Sequence, residues 1–337
     1  MELETEDTPA FISDSTDYDI FLHPIISLQT NSGKPSLLLH TNEIEEIPGG
    51  WLYRHYTNRH LILLRSLHIA GYGLELGCFI AGECLVKFEI EYDNFTPFAV
   101  DPIFVTFLWG LILLLGALLI PVLFRKTNNA ISIISDQLKY YHFPVYILIA
   151  IFLLSKNVFK TKFSFIFNDL TLIIISGLSF YIYSRVKYED DGRYVVTWLE
   201  YLGIQVQFSV IVAWMLVELS ISTMLTISSI DGQSTKDYKF VGWPHENWTI
   251  LLMSICFTIS VIVLNTYKDI FFPAVLSYTF LGIYSWQRRK ICLEDDDNCS
   301  ESVTVTAFVF GGLLLVFIII TILYYPKLIL YRVRVRT

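Results

Sequence analysis

A series of long apolar segments after residue 100 constrains the fold of this chain most. Seven segments that are nearly free of charge occupy 103–124, 141–155, 164–184, 203–227, 248–266, 270–286 and 303–325. Several reach the roughly 20 residues that a helix needs to cross a hydrocarbon core of about 30 Å. Because lipid offers the backbone no hydrogen-bond partners, such runs are typical of transmembrane helices. The sequence therefore predicts an all-α, polytopic transmembrane helical bundle with seven spans.

The segment 61–88 leaves the number of spans open between seven and eight. It is apolar, but it contains ionisable side chains and four glycines. Gly73 and Gly77 stand four residues apart, so they could form a small-residue face that packs closely against another helix. An interfacial or re-entrant segment is the alternative to an eighth span.

The composition agrees with a membrane protein. Of 337 residues, 54% are hydrophobic, and the mean hydropathy of +0.53 is seldom reached by soluble domains. We divide the chain into a polar acidic N-terminal tail (1–60), an uncertain interfacial or extra-span region (61–102), the transmembrane bundle (103–325) and a basic C-terminal tail (326–337). We expect membrane lipid and subunits of a membrane complex as partners, and no nucleic acid.

Charge and glycosylation signals predict the orientation of the seven spans. If the spans alternate, Arg125, Arg185, Lys268 and the arginine-rich tail fall on one side. The positive-inside rule makes that side cytosolic or its equivalent. The opposite side then carries three N-glycosylation sequons, at Asn94, Asn247 and Asn298. We expect an integral multi-pass membrane protein, and the organelle stays open between endomembrane, plasma membrane and mitochondrion.

Two cysteines on the sequon side are candidates for a disulfide. Cys292 and Cys299 flank the acidic turn LEDDDN, which could fold back and bring them together. A disulfide would form in an oxidising compartment, and two free thiols are the alternative.

The fourth segment contains the best polar candidate for a binding site. Trp214, Glu218 and Ser222 recur at helical spacing and share one face. A carboxyl group inside a span is costly unless it is protonated, paired or wetted, so a functional site is the default hypothesis. The alternative is a protonated glutamate that bonds to a neighbouring helix, with Ser260 or Asn265 as its partner.

Motifs for catalysis or metal binding are absent from the sequence. It contains no CxxC, HExxH, GxSxG, GxGxxG or phosphate-binding loop, and its seven histidines are scattered. We therefore expect neither an enzyme nor a metal site.

An ordered set of aromatic and small residues runs through 205–286. Its members are Phe208, Trp214, Gly242, Trp243, Trp248, Asp269, Phe272, Val275, Tyr278, Gly282 and Ile283. In this order and spacing they resemble the TspO/MBR family, the tryptophan-rich sensory proteins, in a divergent branch. Tyr278 stands where the family usually has tryptophan, and Glu218 replaces a small residue.

The resemblance implies a helical bundle with an intramembrane pocket for an apolar ligand such as a sterol, a porphyrin or a lipid. The cofactor itself stays unknown. We expect Trp214, Glu218, Ser222 and Tyr278 to line the pocket, and Tyr284, which fits a loose cholesterol-contact pattern with Arg288, to adjoin it. The alternatives are an accessory subunit of a larger membrane complex and a transporter that uses Glu218.

Overall fold

The computed structural model describes residues 58–85, 98–125, 134, 138–158, 162–188, 197–231, 239–291 and 300–325. All of them belong to one compact unit, Leu52–Thr337. The positions Cys292, Cys299, Asn94 and Asn298 lie outside the described residues, so the disulfide and two of the sequons stay predictions.

Eight helices of four or more turns make up most of the described chain. They are α1 (Asn58–Leu85), α2 (Pro102–Leu123), α3 (His142–Val158), α4 (Lys162–Tyr188), α5 (Gln207–Asp231), α6 (His245–Tyr267), α7 (Phe271–Trp286) and α8 (Glu301–Tyr324). One helical turn (Trp198–Glu200) and a π-helical segment (Tyr201–Val206) lead into α5, and a second π-helical segment (Gln287–Ile291) follows α7. A two-stranded antiparallel ribbon, β1 (Lys239–Phe240) with β2 (Trp243–Pro244), precedes α6.

The predicted all-α polytopic bundle is confirmed, although the number of long spans differs from the expected seven. Six helices in the described ranges are long and apolar enough to cross a membrane, and α1 is one of them through His60–Gly82. The sequence left open whether the region from residue 61 spans the membrane, and the structure shows there a helix of spanning length. In contrast, α3 and α7 have only 17 and 16 residues.

Burial divides the helices into a central one and an outer set. Helix α5 is buried on nearly all sides, whereas the outer helices each expose an apolar stripe. On α8 the exposed stripe includes Phe308, Leu315, Ile319 and Leu323. An exposed stripe of large apolar residues on a helix of spanning length suits contact with lipid tails. The protein is accordingly an integral multi-pass membrane protein.

Contacts between helices show that successive helices alternate in direction. The pairs that establish this are Arg65 with Arg125 and Phe79 with Trp109 (α1, α2), His68 with His142 (α1, α3), Tyr141 with Tyr181 and Ser155 with Asn168 (α3, α4), Thr226 with Asp169 (α4, α5), Thr249 with Met224 (α5, α6), and Tyr284 with Phe308 and Ser277 with Gly311 (α7, α8). Lys268 lies 4.9 Å from the ring centre of Tyr325, so α6 and α8 end together.

This alternation places the start of α1 and the end of α8 at the same end of the bundle. Arg125, Arg185, Lys187 and Lys268 lie there, and we call it the basic end. Asn247 is exposed in the first turn of α6, at the opposite end. The arrangement fits the alternation expected from the sequence, with α1 added as an eighth helix.

Candidate functional site

The start of α5 is held in place at the basic end by a local cap and a charge. The hydroxyl of Thr197 accepts a hydrogen bond from the Glu200 amide at 3.4 Å, and the Glu200 carboxylate accepts one from the Thr197 amide at 2.9 Å. This reciprocal arrangement is a capping box. The guanidinium of Arg125 lies 3.7 Å from Glu200 and donates to the Thr197 hydroxyl at 2.7 Å. The cap therefore ties α5 to the end of α2.

A close approach between α2 and the π-helical segment fixes α5 further. A Cβ atom at Gly203 would lie 3.1 Å from the backbone of both Leu118 and Leu119. Backbone atoms cannot rotate out of the way as a side chain can, so only glycine fits at this contact without displacement. The first candidate site residue lies three turns further along the same helix.

Trp214 lies in the interior of the bundle and packs edge-on against a second tryptophan. It is fully buried, and its ring centre is 6.3 Å from that of Trp109 on α2. Trp109 is in turn 6.1 Å from Phe79 on α1. The indole nitrogen of Trp214 has no acceptor among the described residues. A buried indole N–H usually finds a partner, so this donor is an exception among buried tryptophans.

Glu218, one turn further along α5, forms an ion pair with Lys156. The Lys156 Nζ atom donates to Glu218 Oε2 at 2.9 Å, with side-chain exposures of 22% for Lys156 and 2% for Glu218. The second carboxylate oxygen, Oε1, is buried and has no partner within the described ranges. Neither expected partner bonds to Glu218 in the structure, because Asn265 is exposed and the buried Ser260 hydroxyl has no hydrogen-bond partner among the described residues.

The sequence analysis did not predict Lys156 as a site residue, because its charge indicated the end of a span. The structure continues α3 to Val158, which brings Lys156 onto the inner face of the bundle. A helix of 17 residues is about 25 Å long, shorter than the hydrocarbon core of about 30 Å. The lysine stem can therefore follow the apolar interior while its ammonium group reaches the carboxylate.

The polar face of α5 continues beyond Glu218 towards α4. Ser222 is 7% exposed and faces the carboxyl group of Asp169. The Thr226 hydroxyl donates to Asp169 Oδ2 at 2.6 Å, while Asp169 Oδ1 has no partner among the described residues. Trp214, Glu218 and Ser222 are thus brought together on one buried face, as their spacing indicated.

The sequence analysis expected Tyr278 to line the pocket and Tyr284 to adjoin it, and the structure gives both of them other contacts. Tyr278 packs against Phe104 and Phe107 of α2, with ring centres 4.4 and 5.3 Å away. The hydroxyl of Tyr284 accepts a hydrogen bond from Arg288 at 2.6 Å. These contacts place Tyr278 at the interface of α7 and α2 and Tyr284 near the end of α7.

A second buried ion pair, missed in the sequence, lies at the basic end between α4, α5 and the connection from α6 to α7. Lys187 Nζ is 3.4 Å from Asp269 Oδ2, and both side chains are almost fully buried. The same oxygen accepts hydrogen bonds from Tyr183 at 2.7 Å and Ser209 at 2.5 Å. The other oxygen accepts one from the Phe271 amide at 2.9 Å. Every oxygen of this carboxylate is therefore partnered.

Burial and the surrounding donors act in opposite directions on Asp269. Burial raises the pKa of its carboxyl group, but Lys187, the two hydroxyl groups and the Phe271 amide lower it, and the net result is a lowered pKa. The carboxylate is thus the stable form at neutral pH, held by an opposite charge and by donors to the charged state.

Comparison with known proteins gives the family. The sequence profile of the TSPO-like proteins matches residues 91–320, more than half of the chain. The protein belongs to the TSPO-like family. No curated protein and no solved structure matches the chain. The resemblance over 205–286 is confirmed, and the matched region of this TSPO-like protein extends over α2 to most of α8 but excludes α1.

Proposed function

We propose that this TSPO-like protein binds an apolar ligand with a polar group inside its bundle, at the face of α5 that carries Trp214, Glu218 and Ser222. Two unpartnered polar atoms on that face, the Trp214 indole nitrogen and Glu218 Oε1, carry the proposal. A buried polar atom without a partner costs about 1–3 kcal/mol. A ligand that bonds to these atoms removes that cost, so the site is suited to a ligand.

The surroundings of these atoms favour a ligand with a flat apolar body. Trp214, Trp109 and Phe79 form a contiguous row of packed aromatic rings from α5 across α2 to α1. Aromatic surfaces of this kind bind rigid rings through burial and offset contacts. The ammonium group of Lys156 lies beside Glu218 and suits a hydroxyl or carboxylate group. A sterol and a porphyrin combine these two features, whereas a lipid combines the polar group with flexible apolar chains.

Binding can be measured on the full-length protein in lipid nanodiscs, with protoporphyrin and cholesterol as probes and tryptophan fluorescence as the signal. We expect saturable binding of at least one probe. Glu218→Gln should weaken it by about tenfold or more, because a hydrogen bond to a charged group contributes about 1.5–3 kcal/mol. Trp214→Phe keeps an aromatic ring but removes the N–H donor, so it should weaken binding less.

Matched variants outside the site serve as controls. Trp198 is 51% exposed and Glu301 is exposed at the start of α8, so Trp198→Phe and Glu301→Gln should bind as the unaltered protein does. Unchanged affinity in the Glu218→Gln variant, with its helical content intact, would remove this face from consideration. A protein that binds neither probe but co-purifies with other membrane subunits would instead act as an accessory subunit.

A further inference from the structure

A second set of buried polar side chains lies between α1, α3 and α5, apart from the face of Trp214 and Glu218. Its members are His68, Glu75, His142, Tyr146 and Gln207, each 2% exposed or less. His68 and Glu75 belong to α1, which precedes the region matched by the family profile. Helix α1 therefore contributes two of the five members from outside the matched region, and the other three lie within it.

The two histidines at the centre of this cluster face each other without hydrogen-bond partners. Their ring centres are 4.9 Å apart. His142 also packs against Tyr146 at 4.2 Å and Phe208 at 4.8 Å. All four ring nitrogens are buried, and none has a partner among the described residues. A neutral imidazole has one donor and one acceptor, so each ring lacks two hydrogen bonds.

The polar side chains continue from the histidines towards Glu75. The Tyr146 hydroxyl accepts a hydrogen bond from Gln207 Nε2 at 3.3 Å. The ring of Tyr72 lies edge-on to that of Tyr146, with centres 6.4 Å apart. Glu75 interacts electrostatically with both tyrosine hydroxyls, and its Oε1 atom has no partner within the described ranges. A row of titratable groups thus runs from the histidine pair to a buried carboxyl group.

Two glycines provide the space that the tyrosines occupy. A Cβ atom at Gly71 would lie 2.8 Å from the Tyr146 ring, and one at Gly116 would lie 2.8 Å from the Tyr72 ring. Both distances are too short for any other residue to be accepted without a shift. The backbone of α1 and α2 is therefore shaped around these polar aromatic side chains.

The side chains of the cluster are better suited to transferring protons than to binding a metal ion. Among the residues that the structure describes, no group of three or more histidine, cysteine, aspartate or glutamate side chains could hold a metal. Structural zinc sites use four ligands and catalytic ones three, and this histidine pair supplies two. Unpartnered buried nitrogens and oxygens are instead the groups that bind internal water.

We propose that the cluster is a proton-transfer site that links the basic end of the bundle to Glu75. His142 is the first residue of α3 and follows Tyr141, which is 40% exposed at the basic end. A hydronium ion there transfers its proton to a ring nitrogen of His142 or His68, which forms an imidazolium and leaves a water molecule. The imidazolium then gives one N–H proton, through bound water, to the Glu75 carboxylate. The products are a neutral imidazole and a carboxylic acid.

The side chains along the proposed path from the histidine pair to Glu75 are compatible with proton transfer. Helix α1 contributes His68, Tyr72 and Glu75, α3 contributes His142 and Tyr146, and α5 contributes Gln207. The Tyr72 hydroxyl donates to the Leu113 carbonyl of α2 at 3.0 Å. Arg65, one turn before His68, directs its guanidinium to the Arg125 carbonyl at 3.2 Å. Ionisable residues within a membrane bundle commonly mark such proton relays.

The test is infrared spectroscopy on the full-length protein in lipid after a rapid step from alkaline to mildly acidic pH. We expect a carboxylic-acid C=O band that appears in the unaltered protein and is missing from Glu75→Gln. In His142→Phe and in His68→Phe, the band should appear about a hundredfold more slowly, the lower end of what a positioned proton-transfer group contributes. Phenylalanine at 142 keeps the ring contacts with Tyr146 and Phe208, and phenylalanine at 68 keeps the ring contact with His142, so these variants should fold.

His245→Phe is the matched control, because His245 begins α6 at the opposite end of the bundle. It should show the band at the unaltered rate. The proposal is overturned if Glu75→Gln keeps the full band, or if both histidine variants acquire it as fast as the control. The histidine variants keep the comparison decisive even where Glu75→Gln disturbs the fold. This test is independent of ligand binding at Glu218.

Discussion

Replacing Asp269 by asparagine should destabilise the protein strongly, because it leaves a buried charge without its opposite. The side chain of Lys187 is 1% exposed, and its ammonium group is 3.4 Å from Asp269 Oδ2. Removing one partner of a buried ion pair costs about 3–5 kcal/mol. Asparagine keeps an oxygen that can accept from the Phe271 amide, so the backbone turn at the start of α7 should persist.

The reverse change should cost less, and this asymmetry tests the reasoning. In Lys187→Met, the Asp269 carboxylate keeps hydrogen bonds from Tyr183, Ser209 and the Phe271 amide. We expect a loss of about 1–3 kcal/mol, the range for one lost interaction at a buried charge. The double variant should be more stable than the sum of the two losses predicts, by about 0.5–3 kcal/mol.

The free energy of unfolding can be measured in mixed micelles by denaturant titration, with circular dichroism as the signal. Strictly additive losses in the double variant would refute the proposed coupling, and so would an Asp269→Asn variant within about 0.5 kcal/mol of the unaltered protein.

The contribution of Asp269 to the free energy of unfolding depends on pH with a definite sign. Because the pKa of Asp269 is lowered, its contribution is present above the ordinary aspartate value of about 3.9 and is lost as the pH falls through the folded value.

Two further predictions concern topology and close packing. The C-terminal tail 326–337 and the loop 232–247 should be labelled from opposite sides of the membrane in a cysteine scan, with the tail on the cytosolic side, and labelling of both from one side would contradict the alternation of the spans. Gly203→Ala should destabilise by about 1–3 kcal/mol, because its Cβ would lie 3.1 Å from the Leu118 backbone. Gly177→Ala meets no atom within 4 Å, so in the same unfolding assay it should stabilise helix α4 by up to about 1 kcal/mol.

The sequence determines the spans well because the bilayer fixes the length of an apolar helix. Each of the seven predicted segments overlaps a helix of the structure. The segment before residue 100 was harder, since His68 and Glu75 break its apolar pattern. The structure places both inward, at 2% and 1% exposure, so the polar residues interrupt the pattern without reaching lipid.

The partners of the buried charges could not be predicted, because they depend on helix packing and not on local spacing. Glu218 meets Lys156, 62 residues earlier in the chain, and Asp269 meets Lys187 on a different helix. Hydropathy assigned both lysines to the ends of spans. A lysine stem crosses several ångströms of apolar surface, so its charge can lie inside a bundle even when its Cα is near a helix end.

The distribution of satisfied and unsatisfied polar atoms along α5 suggests how the helix is used. At the basic end, the capping box beside Arg125 and the network around Asp269 leave the start of α5 firmly held. Beyond Trp214, the face of the same helix contains polar atoms that the described residues do not satisfy. Fully partnered buried networks make a segment rigid, whereas half-satisfied ones leave free energy to be gained from a new partner. The proposed binding face, three turns from this fixed anchor, would combine a set position with unmet hydrogen bonds, which is what preorganised recognition requires.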